Sequence, residues 1–153
     1  MIKYMLLIAS MAIALTAATA ARSDSDDVLI YLELHNGFSK QVHFTVDGRY
    51  SCDAQAHGAG KTSPDTCVFA TACLAYDETF MFHEGSDGTC KEVPLDSNPH
   101  TVVITWAGQK LTRQVKLGFT PADPDFGPAS YDNDCTLSIG TGDTTPVFSC
   151  KSD

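Results

Sequence analysis

Six cysteines constrain the fold of this 153-residue chain more than any other feature, because all of them lie in its last two thirds. An even number of cysteines in a small exported domain is typical of a disulfide framework, which compensates for a modest hydrophobic core. A metal site is the alternative, but the chain has no C-x-x-C motif and no cysteine–histidine pair at ligand spacing. We therefore expect structural disulfides among Cys52, Cys67, Cys73, Cys90, Cys135 and Cys150.

Spacing alone leaves the pairing open, since six cysteines allow many connectivities. Two pairs are near enough in sequence to close a local loop or hairpin, and a third pair then crosses between strands. The pairing predicted on this ground is Cys67–Cys73, Cys135–Cys150 and Cys52–Cys90.

The amino-terminal segment has the pattern of a secretory signal. Lys3 precedes an apolar run over residues 4–15, and Ala18-Thr19-Ala20 follows as an A-x-A cleavage site. We predict a signal peptide over residues 1–20, a flexible acidic leader over residues 21–27 and a single domain over residues 28–153. An uncleaved membrane anchor is the alternative, but the apolar part is short for a span of about 20 residues. The expected location is secreted or periplasmic, with no stable membrane insertion after cleavage.

The chain is acidic, with 10 Lys and Arg against 19 Asp and Glu and a net charge of −9. Removal of Lys3 with the predicted signal leaves a charge of −10. Such a charge opposes binding to nucleic acid or to an anionic membrane, both of which attract cationic proteins. It favours a basic protein or a hard cation as the partner.

Alternating apolar residues predict strands along most of the chain. From Val28 every second residue is apolar and falls on one face, while Leu29, Tyr31, Glu33 and His35 fall on the other. Residues 42–46 alternate up to Asp47-Gly48, a pair that predicts a type I′ hairpin. Further strands are predicted over residues 49–52, 67–73, 79–83, 101–106, 111–119, 135–139 and 147–150, with loops over 53–66 and 120–134 and turns at 85–88 and 140–143.

The spacing of these strands defines the expected fold class. About six to nine short strands separated by turn signals, with no sustained helical period, predict an all-β fold. The expected architecture is an antiparallel β-sandwich stapled by disulfides, and a small β-barrel is the alternative.

One part of the chain resembles a known family. Residues 42–52 read VHFTVDGRYSC, and the motifs Asp87-Gly88-Thr89-Cys90, Val93-Pro94 and His100-Thr101-Val102 follow. They resemble the V-x-V-D-G-x hairpin and the next turn of PEGA-like and carboxypeptidase-regulatory-like β-domains of exported bacterial proteins, over roughly residues 40–118. The resemblance implies an immunoglobulin-like or transthyretin-like sandwich with an accessory binding role and no catalytic residues.

The loop over residues 120–134 carries the strongest local signal for a metal. Its alternating aspartates supply oxygen ligands of the kind that Ca²⁺ takes. An EF-hand is excluded, because Pro128 occupies the position that needs glycine and an aspartate stands where glutamate is required. A looser calcium site and a solvated acidic loop both remain possible interpretations. The candidate ligands are Asp123, Asp125, Asp132 and Asp134.

No motif indicates catalysis or another cofactor. The chain lacks a G-x-S-x-G elbow, and its cysteines are expected to be oxidised. Its histidines are not spaced as H-x-H or H-E-x-x-H, so they are interpreted as surface or rim residues rather than zinc ligands. These histidines are His35, His43, His57, His83 and His100. We expect the protein not to be an enzyme.

Two functions follow from these observations as hypotheses. The first is an exported, non-catalytic binding or accessory module of the cell envelope or extracellular space, which contacts its partner through residues 53–66 and 120–134. The second is an acidic inhibitor or immunity-type protein that captures a basic secreted or periplasmic enzyme, such as a toxin, a hydrolase or a lysozyme-like protein.

Overall fold

A computed structural model describes residues 28–58, 65–80, 89–125, 127–139 and 145–151. The predicted signal peptide (1–20), the acidic leader (21–27) and the turns at 85–88 and 140–143 lie outside the described residues. The strands are β1 (Leu29–Asn36), β2 (Val42–Val46), β3 (Tyr50–Ala54), β4 (Thr66–Ala70), β5 (Thr89–Glu92), β6 (His100–Trp106), β7 (Gln109–Val115), β8 (Gly118–Thr120), β9 (Ser130–Ser138) and β10 (Val147–Lys151). One helix, α1 (Cys73–Phe80), lies between β4 and β5.

The strands form two sheets that pack as a sandwich, which confirms the predicted fold class. The larger sheet has the order β10-β9-β1-β4-β5, with β8 paired to β9 beside β10, and the smaller sheet has the order β3-β2-β6-β7. The barrel alternative is wrong for the described residues, because each sheet ends at edge strands instead of closing on itself.

Strand pairing departs from the expected antiparallel pattern at two places in the larger sheet. Strands β1 and β9 run parallel, and so do β4 and β5. Parallel neighbours need a long connection between them, and both pairs are separated by long stretches of chain. The larger sheet is therefore mixed, whereas the smaller one is antiparallel throughout.

Alternation of apolar residues explains where the core lies. In β1, Leu32 and Leu34 are fully buried against the smaller sheet, and Phe44 of β2 and Ile104 of β6 meet them from the other side. Burial of such side chains contributes about 1.5 to 3 kcal/mol each. The opposite face of the larger sheet is covered in part by α1, whose Tyr76 packs in a second, smaller apolar cluster.

Tight turns hold the strands of the smaller sheet in register. Asp47 and Gly48 adopt φ of 51° and 66°, and Arg49 N–H donates to the Val46 carbonyl over 3.1 Å, as a type I′ turn requires. The predicted Asp-Gly hairpin is therefore confirmed. Ala107 and Gly108 form a second turn with positive φ between β6 and β7.

Two segments differ from the sequence expectation. The predicted strand over residues 67–73 is confirmed as far as Ala70, where β4 ends. Residues 73–80 are helical instead, so the predicted strand over residues 79–83 is wrong at residues 79 and 80, which the structure describes. Tyr76 is the buried residue among the helix residues whose side chains the structure describes. With eight residues the helix has little more than two turns, so a helical period is hard to recognise in its sequence. The predicted loop over residues 120–134 is also wrong in its second part, where β9 begins at Ser130.

The disulfides are Cys52–Cys67, Cys73–Cys90 and Cys135–Cys150. The last pair is as predicted, whereas the predicted pairs Cys52–Cys90 and Cys67–Cys73 are wrong. Cys67 of β4 faces the core between the sheets, where Cys52 of β3 meets it. Cys90 lies in register with Val68, on the face covered by α1, and it bonds to the first residue of that helix. Neighbouring strand residues point to opposite faces, and this separates the two cysteine pairs.

Candidate functional site

The four predicted calcium ligands do not come together in one group. Asp123 and Asp125 lie in a turn closed by the pairing of Asp123 with Gly127, and the Asp125 N–H donates to Asp123 Oδ1 over 2.8 Å. Asp132 and Asp134 are strand residues of β9. Asp132 is buried and accepts a hydrogen bond from the Ser130 hydroxyl. The strand that begins at Ser130 thus separates the two halves of the predicted site.

The structure places Asp134 in a different group, together with Glu33 and His35 of β1. Glu33 and His35 are two residues apart on one strand and therefore share a face, and Asp134 is the register partner of Glu33 on the parallel strand β9. His35 Nε2 lies 3.2 Å from Glu33 Oε2 and 3.0 Å from Asp134 Oδ1. One imidazole nitrogen is thus enclosed by two carboxylates on the outer face of the larger sheet.

The other ring nitrogen of His35 belongs to a hydrogen-bonded chain. The hydroxyl of Thr66 in β4 donates to Asp65 Oδ1 over 3.2 Å. The oxygen of that hydroxyl, Thr66 Oγ1, lies 2.9 Å from His35 Nδ1. Because a hydroxyl has one hydrogen and an ionised carboxylate only accepts, Thr66 accepts from His35 Nδ1–H. This network assigns a proton to Nδ1 and aims Nε2 at the two carboxylates.

Glu33 is oriented from the helix side. Tyr76 is buried against the sheet, its ring lies 5.2 Å from that of Tyr31, and its hydroxyl donates to Glu33 Oε1. Burial, reinforced by Glu33, raises the pKa of Tyr76 well above its usual value, so the phenol keeps its proton and remains a donor. The Cys73–Cys90 disulfide ties the helix that carries Tyr76 to the edge strand β5.

The charges around His35 favour its protonated form. The hydrogen bond with Glu33 raises the pKa of His35 above 6.5, burial opposes this, and the negative charges of Asp134 and Asp65 add to it. Opposite charges within hydrogen-bond distance stabilise an imidazolium in this way. A positive charge at Nε2, carried by a proton or by another cation, is therefore what this group stabilises.

A second feature is a surface cleft of about 480 Å³ next to β8. Phe119 is 55% exposed there and lies with its ring 5.1 Å from that of Tyr131, its register partner on β9. Asn133 is buried and donates to the Lys116 carbonyl over 2.9 Å, which fixes the floor of the cleft. The lining residues are Ser97, Lys116, Leu117, Gly118, Phe119, Tyr131 and Asn133.

The remaining described histidines also contact aspartates. His43 and His57 contact Asp53 and Asp65 at the surface, as expected for surface residues. His100 differs from the expected rim position, because its side chain is only 6% exposed and its Nδ1 lies 2.7 Å from Asp47 Oδ2. His83 and residues 59–64 of the predicted contact loop lie outside the described residues.

The sequence pattern places Glu33 and His35 on the same face of β1, but it led to the interpretation of His35 as a surface or rim residue and gave Glu33 no role. The signal available was the Glu-x-His spacing, which puts two ligand types on one face of a strand. Asp134 and Thr66 reach the same face only through the pairing of β1 with β9 and β4.

Comparison of the chain with protein-family models, with curated proteins and with solved structures finds no match. Within the part of the chain that the structure describes, no helix has the length and apolar character needed to cross a membrane.

Proposed function

We propose that the chain is an exported, disulfide-stabilised and non-catalytic binding module of the cell envelope or the extracellular space. Its three disulfides indicate an oxidising compartment, where such bonds form and persist. The predicted signal over residues 1–20 and the resemblance to exported accessory β-domains support the same location and role.

The observation that carries the binding role is the cleft beside Phe119. A large aromatic side chain that is more than half exposed on a rigid strand contributes contact area with little loss of conformational entropy. Lys116, Ser97 and Tyr131 surround it with groups that donate or accept hydrogen bonds. An exposed aromatic anchor with a polar rim is the usual composition of a protein-binding surface.

Capture of a partner from envelope extract tests this function. The chain is immobilised and the retained protein identified, with Phe119→Ala and Leu74→Ala as variants. Leu74 is a suitable control because it is 68% exposed on α1, away from the cleft. We expect Phe119→Ala to lose at least about tenfold in affinity, as anchors of this kind do, and Leu74→Ala to bind normally. Equal retention by both variants overturns the role of the cleft.

The charge favours a second candidate, an acidic inhibitor or immunity-type protein that captures a basic secreted enzyme. A net charge of −9 on 153 residues accelerates encounter with a basic partner. Inhibition of basic hydrolases, including a lysozyme-like enzyme, is measured at low and high salt. This candidate requires inhibition that weakens steeply with salt, whereas an absence of inhibition at low salt removes it.

A further inference from the structure

The cluster of Glu33, His35 and Asp134 has the composition and placement of a metal site. Its members come from two adjacent strands in the interior of the larger sheet, β1 and β9, so the backbone holds them in fixed register. Ligands on rigid strands are positioned more precisely than ligands on loops. None of the three contributes to the apolar core between the sheets.

The distances within the cluster match a shared small cation. Two ligands that each lie 2.0 to 2.1 Å from a tetrahedral metal are separated by about 3.4 Å. His35 Nε2 lies 3.2 Å from Glu33 Oε2 and 3.0 Å from Asp134 Oδ1, and all three ligand atoms fall within 4.8 Å of one another.

The hydrogen-bonded chain through Thr66 prepares His35 for such a role. With its proton on Nδ1, the neutral imidazole presents the lone pair of Nε2 to the position that the two carboxylates share. Histidine ligands in metal sites commonly donate their second ring N–H in this way, which fixes the tautomer and the ring orientation. Thr66 here takes the place of the usual carboxylate or carbonyl acceptor, and Asp65 in turn orients Thr66.

Tyr76 gives Glu33 a similar orientation. Its hydroxyl holds Oε1, which directs Oε2 toward His35 Nε2. Because Tyr76 is buried on a helix that the Cys73–Cys90 bond tethers, this support does not depend on a mobile side chain. His35 and Glu33 are therefore each oriented by a hydrogen bond to a residue outside the cluster, to Thr66 and Tyr76 respectively.

The ligand set selects the kind of ion. One imidazole nitrogen with two carboxylate oxygens suits zinc and neighbouring transition metals, whereas Ca²⁺ prefers six to eight oxygen ligands. We propose that Glu33, His35 and Asp134 bind a divalent transition-metal ion of the zinc class, with water completing its coordination. The ion takes the place of the proton on Nε2 and supplies the positive charge that the two carboxylates stabilise. This site is independent of the Phe119 cleft and of any protein partner.

Calorimetric titration of the untagged chain with Zn²⁺ tests the proposal, with Ca²⁺ titrated in parallel. We expect one Zn²⁺ per chain and no displacement by an equal concentration of Ca²⁺. His35→Gln should weaken binding by at least about tenfold, because it removes the nitrogen ligand. His43→Gln is the matched control, since His43 also contacts an aspartate, Asp53, but lies outside the cluster. Its affinity for Zn²⁺ should not change.

Two further variants keep the test decisive if His35→Gln fails to fold. Asp134→Asn changes a half-exposed ligand, and Tyr76→Phe removes only the hydroxyl that orients Glu33. Each should weaken the binding of Zn²⁺ by at least about tenfold, the first by removing a charged oxygen ligand and the second while the ring packing is kept. The proposal is overturned if the chain does not bind Zn²⁺ saturably, if Ca²⁺ competes equally, or if the control loses as much affinity as the cluster variants.

Discussion

His100 Nδ1 lies 2.7 Å from Asp47 Oδ2, so an ion pair between residues 53 positions apart joins the β2–β3 turn to the start of β6. The second oxygen of Asp47 accepts the Thr101 N–H over 2.9 Å. On its other side, His100 Nε2 lies 3.0 Å from the Asp96 carbonyl. In its protonated form the imidazole donates on both sides, and one aspartate fixes both a turn and the beginning of a strand.

Asp47→Asn should destabilise the protein by about 2 kcal/mol, because it removes the charged acceptor of a buried imidazole. Asparagine tolerates the left-handed conformation that Asp47 adopts, with φ of 51°, so the turn itself is preserved. Asp53→Asn is the control, because the histidine partner of Asp53, His43, is 44% exposed. This substitution should change the free energy of unfolding by about 0.5 kcal/mol or less. Urea denaturation midpoints compare the two, and equal shifts would contradict the structural role of the buried pair.

Stability should also fall as the pH rises above 6.5. Burial lowers the pKa of His100, but its hydrogen bonds and the charges of Asp47 and Asp96 outweigh this effect and raise it above 6.5. The folded state then binds more protons than the unfolded state between 6.5 and the raised pKa, so the free energy of unfolding decreases with pH across that window. His35 contributes with the same sign.

The pH dependence is measured by urea midpoints from pH 6.5 upward. Asp47→Asn should have a shallower decline than the wild type, because the carboxylate that stabilises the His100 charge is gone. A wild-type midpoint that rises with pH across this window, or an unchanged slope in the variant, would falsify the assignment.

Local patterns in the sequence were sufficient for the features that depend on near neighbours. The alternation of Val42, Phe44 and Val46 and the Asp47-Gly48 turn predicted β2 and its hairpin correctly. Cys135 and Cys150 were paired correctly because their strands are sequential partners in one hairpin. Each of these features is determined by residues close together in the chain.

Features that depend on distant pairing could not be predicted in the same way. The disulfides of Cys67 and Cys90 depend on which face of the larger sheet each residue occupies, and helix α1, which begins at Cys73, lies on the face of Cys90. The metal group depends on the parallel pairing of β1 with β9, which brings Asp134 beside Glu33. Register between strands far apart in the chain is set by packing of the whole core, and no short motif encodes it.

Two of the disulfides should differ in their contribution to stability although they span equal lengths. Cys52–Cys67 and Cys135–Cys150 both have a sequence separation of 15, so constraint of the unfolded chain contributes about 3 kcal/mol for each. Both sulfurs of the first lie in buried residues and join the two sheets, whereas Cys150 is exposed. Replacing Cys52 and Cys67 by alanine should cost about 1 kcal/mol more than replacing Cys135 and Cys150, because it leaves the larger cavity: both sulfurs of the first bridge belong to buried residues, whereas only Cys135 of the second is buried. Identical urea midpoints for the two double variants would mean that the unfolded-state constraint accounts for the whole effect.

Asn36 should be the most sensitive polar residue of the core. It is 1% exposed, its Nδ2 donates to the carbonyls of Lys40 and Gln55 over 2.7 Å each, and its Oδ1 accepts the Phe38 N–H over 2.9 Å. In Asn36→Asp an oxygen replaces the donor and faces two carbonyls, so we expect a loss of about 3 kcal/mol at neutral pH. Gln41→Glu makes the same chemical change at an exposed position and should have little effect.

Because burial raises the pKa of the new carboxyl in Asn36→Asp, acid should restore part of the stability by supplying a proton that donates to one carbonyl. Urea midpoints of both variants at neutral and acidic pH measure this, and a loss in Asn36→Asp that does not shrink in acid would show that the unpaired carbonyls are not its cause.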